Sequence, residues 1–334
     1  MDRRIEDDAG ADGTTTTGPA WDLVTLGESM ALFMGPPATS LRPGTSATFS
    51  FAGAESNVAI AASRLGHRTA FVSRVGDDDF GRTILRTLAA EGVDTRAVRR
   101  DEGAPTSLMV RQHRTADVVT VSYYRRHGAG ARLRPEDVDP EMIRRSRLLH
   151  VTGITPSLSD SARETVRFAV SVAADAGVPV SLDINHRELM WSRASAGKTL
   201  RELVPSVAVL FGSDHELLLL DDAAEGPEDA AEALRGDGVA DVVLKRGAEG
   251  ATAWHAGGRS DLAAVAVTAV DPVGAGDAFV AGYLSAYLDG EGVDERLRRA
   301  VLCGAFAVSA HGDWEGTPRR DELGLIGNLG HVQR

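Results

Sequence analysis

The chain has 334 residues, enough for one large α/β domain or two smaller ones. Its 36 lysines and arginines stand against 48 aspartates and glutamates, and the net charge of -12 argues against duplex DNA or an anionic membrane as a partner. Cys303 is the single cysteine and cannot form an intrachain disulfide, and we recognise neither a charged leader nor an apolar run of membrane-spanning length, so we expect a cytoplasmic protein.

Residues 1–20 are polar, rich in Gly and Thr, and without hydrophobic periodicity, which predicts a disordered tail. Beyond them, apolar strand-like runs alternate with helical runs, beginning with "WDLVTL" and "SNVAIAASRLG", where Gly66 is expected to end the helix. The pattern returns in "TAFVSRVG" with "DFGRTILRTLAAEG" and in "RLLHVTG" with "SARETVRFAVSVAADAG". Such alternation predicts parallel strands, right-handed crossovers and helices on both faces of a sheet. We predict a single α/β domain over residues 21–328.

Two segments near residues 33–53 and 105–127 break the alternation. They include "RPGTSATFSFAG" and "PTSLMVRQHRTADVVTVSYY", in which apolar positions alternate with polar turns and no helical pattern follows. We expect them to form a small accessory sheet attached to the α/β body. A sheet of this kind is well placed to cover a ligand as a lid.

The stretch "DPVGAGDAF", residues 271–279, joins two apolar runs. "LAAVAVTAV" before it is predicted to be a buried strand, and "AFVAGYLSAYL" after it has aromatic residues at helical spacing. Unpaired amides and the positive end of a helix make an anion site at such a junction, and glycines let the backbone approach the anion closely. The pattern therefore predicts phosphate binding.

Other phosphate motifs fit the chain less well. A dinucleotide fingerprint starting at Gly274 would have Phe279 at its third glycine position, and "SRASAGKT" has Ser192 in place of the first glycine of a P-loop, with no strand before it. Neither motif explains Asp277, a carboxylate directly after the anion turn. We interpret it as the base that takes the proton from a hydroxyl attacking the phosphate, kept ionised by the helix end.

With these two features, the sequence resembles the ribokinase (PfkB-type) sugar kinases over residues 22–325. "DPVGAGDAFVAGYL" looks like the C-terminal signature of that family, and "FAGAESNVAIAASRLG" resembles the N-terminal one, about 220 residues earlier. The resemblance implies a ribokinase-like three-layer α/β/α sandwich with a mostly parallel central sheet and a small β-sheet lid. It implies ATP and magnesium, with Asp277 as the base and the backbone of Gly274, Ala275 and Gly276 as the anion hole.

The nucleotide side is also implied by resemblance. "LKRGAEGATAW" is similar to a family hairpin whose counterparts here, Lys245, Gly247 and Gly250, would line the ATP site. The family's N-x-x-E element corresponds to residues 213–216, with Ser213 in place of Asn and with Glu216 available to a magnesium-bound water.

Several segments resemble 2-keto-3-deoxygluconate kinases in particular. Leu32 stands where kinases of neutral sugars commonly carry an Asp that holds sugar hydroxyls, and an apolar side chain cannot accept those hydrogen bonds. "SYYRRHGAGARL", "LDINHREL" and "HGDWEGTP" are similar to segments of the acid-sugar enzymes, where arginine recognises the carboxylate through paired charge-assisted bonds. The resemblance implies a substrate site at Gly53, Asn57, Tyr123, Arg125, Arg187 and Asp313, with Arg187 also reaching the phosphate and Asn185 on the nucleotide side.

The sequence therefore predicts an ATP-dependent kinase that phosphorylates the primary hydroxyl of 2-keto-3-deoxygluconate. Two alternatives stay open: a fructokinase or ribokinase that acts on a neutral sugar, and a sugar- or nucleotide-binding regulator without catalysis. The sequence does not separate the gluconate-derived from the galactonate-derived epimer. The resemblance also implies a homodimer or a higher oligomer formed through the lid.

Overall fold

The computed structural model describes residues 18–36, 39, 41–113 and 119–326. The tail predicted for residues 1–20 therefore lies outside the described residues, apart from its last three. In chain order the strands are β1 (Leu23–Leu26), β2 (Met30–Met34), β3 (Thr48–Ala52), β4 (Thr69–Gly76), β5 (Val93–Asp94), β6 (Val98–Asp101), β7 (Leu108–His113), β8 (Val119–Tyr124), β9 (Leu149–Thr152), β10 (Val180–Asp183), β11 (Val207–Gly212), β12 (Asp241–Lys245), β13 (Ala251–His255) and β14 (Gly258–Leu262).

The helices follow the strands as the alternating pattern predicts. They are α1 (Ala54–Arg64), α2 (Asp79–Ala90), α3 (Pro140–Arg144), α4 (Asp160–Asp175), α5 (Arg193–Arg201), α6 (Asp214–Leu220), α7 (Pro227–Gly236), α8 (Ala275–Leu288) and α9 (Val293–Val308). Gly66, predicted to end α1, has a positive φ of 91° shortly after the last helical residue. None of the helices in the described ranges is long and apolar enough to cross a membrane.

A ten-stranded sheet forms the centre of the molecule in the order β14-β13-β12-β11-β10-β9-β1-β4-β5, with β6 also paired to β4. Its pairs are parallel except those of β13 with β12 and with β14. Strands β1, β9 and β10 are buried at every position, as expected where helices cover both faces of a parallel sheet. Side chains of α4 to α7 pack on one face, and those of α1, α8 and α9 pack on the other.

A second, small sheet has the order β3-β2-β7-β8. Strand β2 pairs antiparallel with β3 and parallel with β7, and β7 pairs antiparallel with β8. The accessory sheet predicted near residues 33–53 and 105–127 is therefore formed, with two differences in extent. Strand β2 begins earlier, at Met30, and residues 42–47 of the first segment are not part of a strand. Residues 37, 38, 40 and 114–118 of these segments lie outside the described ranges.

The prediction of a buried strand at residues 262–270 is wrong. Only Leu262 belongs to a strand, because β14 ends there, and residues 263–270 continue as an irregular segment that is partly or fully exposed. The apolar side chains of this segment line a cavity instead of pairing in the sheet. An apolar run in a sequence indicates apolar surroundings. Here those surroundings are a cavity that the segment lines, and not the neighbouring strands of a sheet.

Candidate active site

The turn at residues 271–274 leads into the N-terminus of α8. Gly274 is the N-cap residue with a left-handed φ of 78°, and a Cβ at this position would lie 1.8 Å from the carbonyl oxygen of Asp313. Both the dihedral angle and the close approach require glycine. Amides in the first turn of α8 have no acceptor within the helix, and the positive end of the helix dipole favours a negative ligand. The turn therefore has the geometry of an anion-binding site.

Asp277 lies in the first turn of α8, 9% exposed, on the wall of a cavity. The side-chain amide of Asn57, from the first turn of α1, donates a hydrogen bond to Oδ2 of Asp277 at 2.8 Å. Burial raises the pKa of Asp277 and outweighs this hydrogen bond and the charges of Arg187 and Lys245, which lower it. From the sequence we expected the helix end to keep Asp277 ionised. The net effect of the surroundings is instead a raised pKa of Asp277. A raised pKa makes the ionised carboxylate a stronger proton acceptor.

Lys245, at the end of β12, forms an ion pair with Asp183, at the end of β10. Its Nζ lies 2.6 and 2.8 Å from the two carboxylate oxygens. Burial opposes the ammonium charge, but Asp183 and Glu216 outweigh it and raise the pKa of Lys245. Burial also raises the pKa of Asp183, to about 6, against the effect of the lysine. A Cβ at Gly276 would lie 4.0 Å from Nζ, so this cation stands beside the N-terminus of α8.

Two cavities meet at the turn before α8. The first, which we call the polar cavity, has a volume of about 550 Å³ and lies between the small sheet and the ends of the central strands. The second, the apolar cavity, has a volume of about 660 Å³ and lies between the segment 263–270, α8 and α9. Lys245, Pro272 and Gly276 line both cavities. Ligands in the two cavities would therefore face each other across the anion-binding turn.

Most of the site residues predicted from the sequence come together at these cavities. The polar cavity is lined by Gly53, Tyr123, Arg125, Asn185, Arg187, Ser213, Glu216, Lys245, Gly274, Gly276 and Asp277. The apolar cavity is lined by Lys245, Gly247, Gly250, Ala275 and Gly276. Asn185 and Ser213, expected on the nucleotide side, thus line the polar cavity, while Asn57 contacts Asp277 behind its wall.

Asp313 is not among the residues that line either cavity. Arg111, on β7 and fully buried, places Nη1 2.8 Å from Asp313 and Nη2 2.9 Å from Asp271. Burial still raises the pKa of Asp313 to about 7. Arg111 itself lines the polar cavity, so it connects Asp313 to this cavity. The contact of Asp313 with sugar hydroxyls stays a prediction.

Glu216 offers limited capacity for direct metal binding. Its two carboxylate oxygens accept the backbone amides of Ser213 at 2.8 Å and His186 at 2.7 Å. Burial favours the neutral form, but Lys245 and these amides hold the pKa of Glu216 below its usual range. Across the described ranges, no group of three or more His, Cys, Asp or Glu side chains could hold a metal ion. The residues present fit a magnesium ion carried mainly by phosphate oxygens and water, with Glu216 reaching it through water.

Four charged residues of the polar cavity escaped the sequence reasoning: Glu28, Glu55, Asp183 and Arg111. Glu28 and Asp183 stand at the carboxyl ends of β1 and β10, where ligands of α/β sheets bind, so strand position could have indicated them. Arg111 occupies an inward-facing position of β7, where an apolar side chain is expected. This charged residue in an apolar pattern could also have indicated a functional position.

A proton acceptor beside an anion-binding turn, at the meeting point of two cavities, suits phosphoryl transfer to a hydroxyl group. This geometry defines the class of α/β small-molecule kinases. The family follows from comparison with known proteins: residues 22–320 match the pfkB family carbohydrate kinase model, and the chain belongs to this family.

Curated relatives cover most of the chain. A 2-dehydro-3-deoxygalactonokinase of Haloferax volcanii is 33% identical over 87% of this chain and 92% of its own length. A 2-dehydro-3-deoxygluconokinase of Bacillus subtilis is 34% identical over 90% of this chain and 94% of its own. A fructokinase of Escherichia coli is 33% identical over 81% of this chain and 90% of its own.

Solved structures show the same fold. A putative ribokinase II of Escherichia coli in complex with ATP and Mg²⁺ matches with a TM-score of 0.85 and 26% identity, over 91% of this chain and 98% of its own. Together the matches confirm the predicted family, the kinase class and the ribokinase-like α/β fold.

Proposed function

We propose that the protein transfers the γ-phosphoryl group of ATP to the primary hydroxyl of 2-keto-3-deoxygluconate or its galactonate epimer. The observation that carries the proposal is the position of Asp277 where the polar and apolar cavities adjoin. The sugar occupies the polar cavity, and the adenosine of ATP occupies the apolar cavity. The phosphates then extend toward the N-terminus of α8.

Each residue has a distinct part in the proposed mechanism. Asp277 accepts the proton of the substrate hydroxyl as its oxygen bonds to the γ-phosphorus and the bond to ADP breaks. The Asn57 amide holds the carboxylate in place. Amides at the start of α8 and the ammonium group of Lys245 stabilise the charge on the transferred group. Magnesium, when bound, neutralises phosphate charge.

Two arginines on the polar cavity support an acidic substrate. Arg125 and Arg187 both line it, and Arg187 is exposed at its rim. At the position where the resemblance places an Asp in kinases of neutral sugars, Leu32 is fully buried and has no hydrogen-bond acceptor. Relatives named for 2-dehydro-3-deoxy sugar acids agree with this choice. The fructokinase relative keeps a neutral sugar as the alternative substrate.

A steady-state assay of ADP release tests the proposal. The purified chain with Mg-ATP is given the gluconate-derived and galactonate-derived keto-acids, fructose and ribose. We expect kcat/KM for one acid to exceed that for fructose by at least about tenfold, since a site built for a carboxylate leaves its arginines unpaired with a neutral sugar. A preference for fructose would replace the acid-sugar assignment by the fructokinase alternative.

Asp277→Asn serves in the same assay to test catalysis itself. We expect kcat to fall by about 10²–10⁴-fold, because the amide cannot accept the proton. Mg-ATP affinity, measured by calorimetry, should stay within about twofold, and the exposed Asp222→Asn is the matched control. Sugar binding without any ADP release by the wild type would favour the non-catalytic regulator.

The homodimer or higher oligomer formed through the small sheet is part of the same proposal. Tyr124 on β8 is 65% exposed and Phe49 on β3 is 39% exposed, and both strands are edges of the small sheet. Edge strands with exposed aromatic residues favour pairing between chains. The cytoplasmic location expected from the sequence stays a prediction.

A further inference from the structure

Glu28 is a buried carboxylate on the wall of the polar cavity, shortly after β1, and only 2% exposed. The Ser107 hydroxyl donates a hydrogen bond to its Oε1 at 2.6 Å, and Nη2 of Arg125 lies 2.5 Å from its Oε2. A carboxylate this deeply buried is destabilising unless its charge is paired, so these contacts explain how it is tolerated. Because Ser107 precedes β7 and Arg125 follows β8, the contacts also tie the small sheet to the central one.

We call Glu28, Ser107 and Arg125 the Glu28 cluster, and two glycines make room for the first two of these side chains. A Cβ at Gly130 would lie 2.4 Å from Cγ of Glu28, and a Cβ at Gly128 would lie 1.9 Å from the Ser107 hydroxyl oxygen. Both distances are far inside van der Waals contact. The chain is therefore shaped around this cluster, which indicates a built feature and not a chance surface pair.

The guanidinium of Arg125 keeps hydrogen-bonding capacity beyond the Glu28 contact. Its Nη1 faces the sulfur of Met190 at 3.4 Å, and its charge lies 5.5 Å from the centre of the Tyr123 ring. Within the part of the chain that the structure describes, its Nε has no hydrogen-bond partner and Glu28 is its one ion-pair partner. Since a guanidinium has five N–H donors, several remain for a ligand carboxylate.

Arginine has a long side chain with many rotamers, so an unrestrained guanidinium must be ordered each time a ligand binds. We propose that Glu28 is a positioning residue that holds Arg125 toward the polar cavity and so sets the preference for an acid sugar over a neutral one. The inference rests on the proposed function, because it assigns Arg125 to the substrate carboxylate. Glu28 acts through Arg125, and its own charge does not attract the acid.

Kinetics of four variants with the preferred keto-acid and with fructose test this role. We expect Glu28→Ala to raise KM for the acid by about fivefold to tenfold, the effect of one unrestrained side chain, with little change in kcat or in KM for fructose. Glu28→Gln keeps a side-chain oxygen that can face the Arg125 guanidinium and a shape that fits beside Gly130, so its KM for the acid should stay within about twofold of wild type. Arg125→Ala sets the size of the full effect, and the exposed neighbour Arg126→Ala is the matched control.

Ser107→Ala gives a second measure that preserves the ion pair and a folded chain. It removes the hydroxyl that orients Glu28, so we expect a smaller rise in KM for the acid alone. Equal loss for acid and fructose, or a Gln variant as damaged as the Ala variant, would show that Glu28 only supports the fold. A wild type that prefers the acid, with Glu28→Ala and Ser107→Ala unchanged, overturns only the role of Glu28. A wild type that prefers fructose overturns the proposed function itself.

Discussion

Glu55, in the first turn of α1, is a carboxyl group whose charged form is disfavoured by its surroundings. It is 1% exposed and lines the polar cavity. Burial raises its pKa from 4.5 to about 7, although the hydroxyls of Thr152 and Thr155 donate to its Oε1 at 2.7 and 2.6 Å. In the unfolded chain this carboxyl ionises near its ordinary pKa, so the folded and unfolded states bind different numbers of protons between pH 4.5 and about 7.

The sign of this difference predicts how Glu55→Gln changes stability with pH. The folded pKa is raised, so the contribution of Glu55 to stability is full below pH 4.5 and is lost as pH rises through about 7. Glutamine stays neutral and accepts the same threonine hydroxyls. We expect the free energy of unfolding of the variant, relative to wild type, to rise by about 3 kcal/mol between pH 5 and pH 8 in urea denaturation. The exposed Glu232→Gln is the control, and a difference that is constant with pH contradicts the prediction.

Residue by residue, the sequence was most informative where chemistry constrains the chain locally. The turn before α8 could be predicted because an anion site needs a glycine next to a helix start. Gly274 stands directly before the helix that carries Asp277. The ion pair of Asp313 with Arg111 could not be predicted, because Arg111 lies about 200 residues earlier and only folding brings them together. A separation of about 100 residues likewise hid the contact between Glu28 and Arg125.

Among the elements, β7 has an unusual part because it carries a buried charge from the small sheet into the body of the molecule. Arg111 bridges Asp271, at the start of the anion-binding turn, and Asp313, whose backbone packs against Gly274. Asp271 in turn accepts the amide of Val273 at 3.2 Å. One arginine on the small sheet thus holds both the start of the anion-binding turn and the loop of Asp313 that packs against it.

Removal of this arginine should be strongly destabilising. Arg111→Met leaves two buried carboxylates without their cation, and we expect a loss of about 3–5 kcal/mol in the free energy of unfolding. Arg111→Lys keeps the charge but not the fork that spans two acids, so it should lose less. Chemical denaturation at one pH measures both, with Arg126→Met, at an exposed position shortly after β8, as the control. A wild-type midpoint for Arg111→Met would contradict the role given to the bridge.

The helices and strands could be predicted where the spacing of apolar residues matches that of the element formed, as in α1, α4 and the strands that precede them. The segment 263–270 was misread because its alanines and valines satisfy an apolar cavity as well as they would satisfy a sheet. Strand β2 was placed late because a short buried run continues almost directly from β1, with three residues between them.

At the scale of the whole molecule, the alternation of strands and helices was sufficient to predict the layered fold. The site lies where rules for such folds expect it, since β1, β9, β10, β11 and β12 all end beside the polar cavity or its lining residues. The N-termini of α1 and α8 meet there too, through Asn57 and Asp277. Which sugar is accepted does not follow from this layout, because many functions share it.

Assembly is the property of the whole molecule that a single experiment can test. If chains pair through the small sheet, Tyr124→Arg should shift the mass measured by light scattering after size exclusion toward the monomer, because a charge at an apolar contact is left unpaired. Leu325→Arg, at an exposed position outside the small sheet, is the control. An unchanged oligomer, or a monomeric wild type, contradicts pairing through this surface.

The irregular course of residues 263–270 affects how the preference for a phosphoryl donor, the nucleoside triphosphate, can change. These residues form one side of the apolar cavity, yet no strand of the central sheet depends on their register. If the adenosine binds in the apolar cavity as proposed, replacing Val267 by a bulkier or slimmer residue alters the space for the purine ring without changing a strand pairing of the central sheet. Under that proposal, substitutions at this wall would change the preference for one nucleoside triphosphate over another in small steps while the pairing of the central strands stays the same.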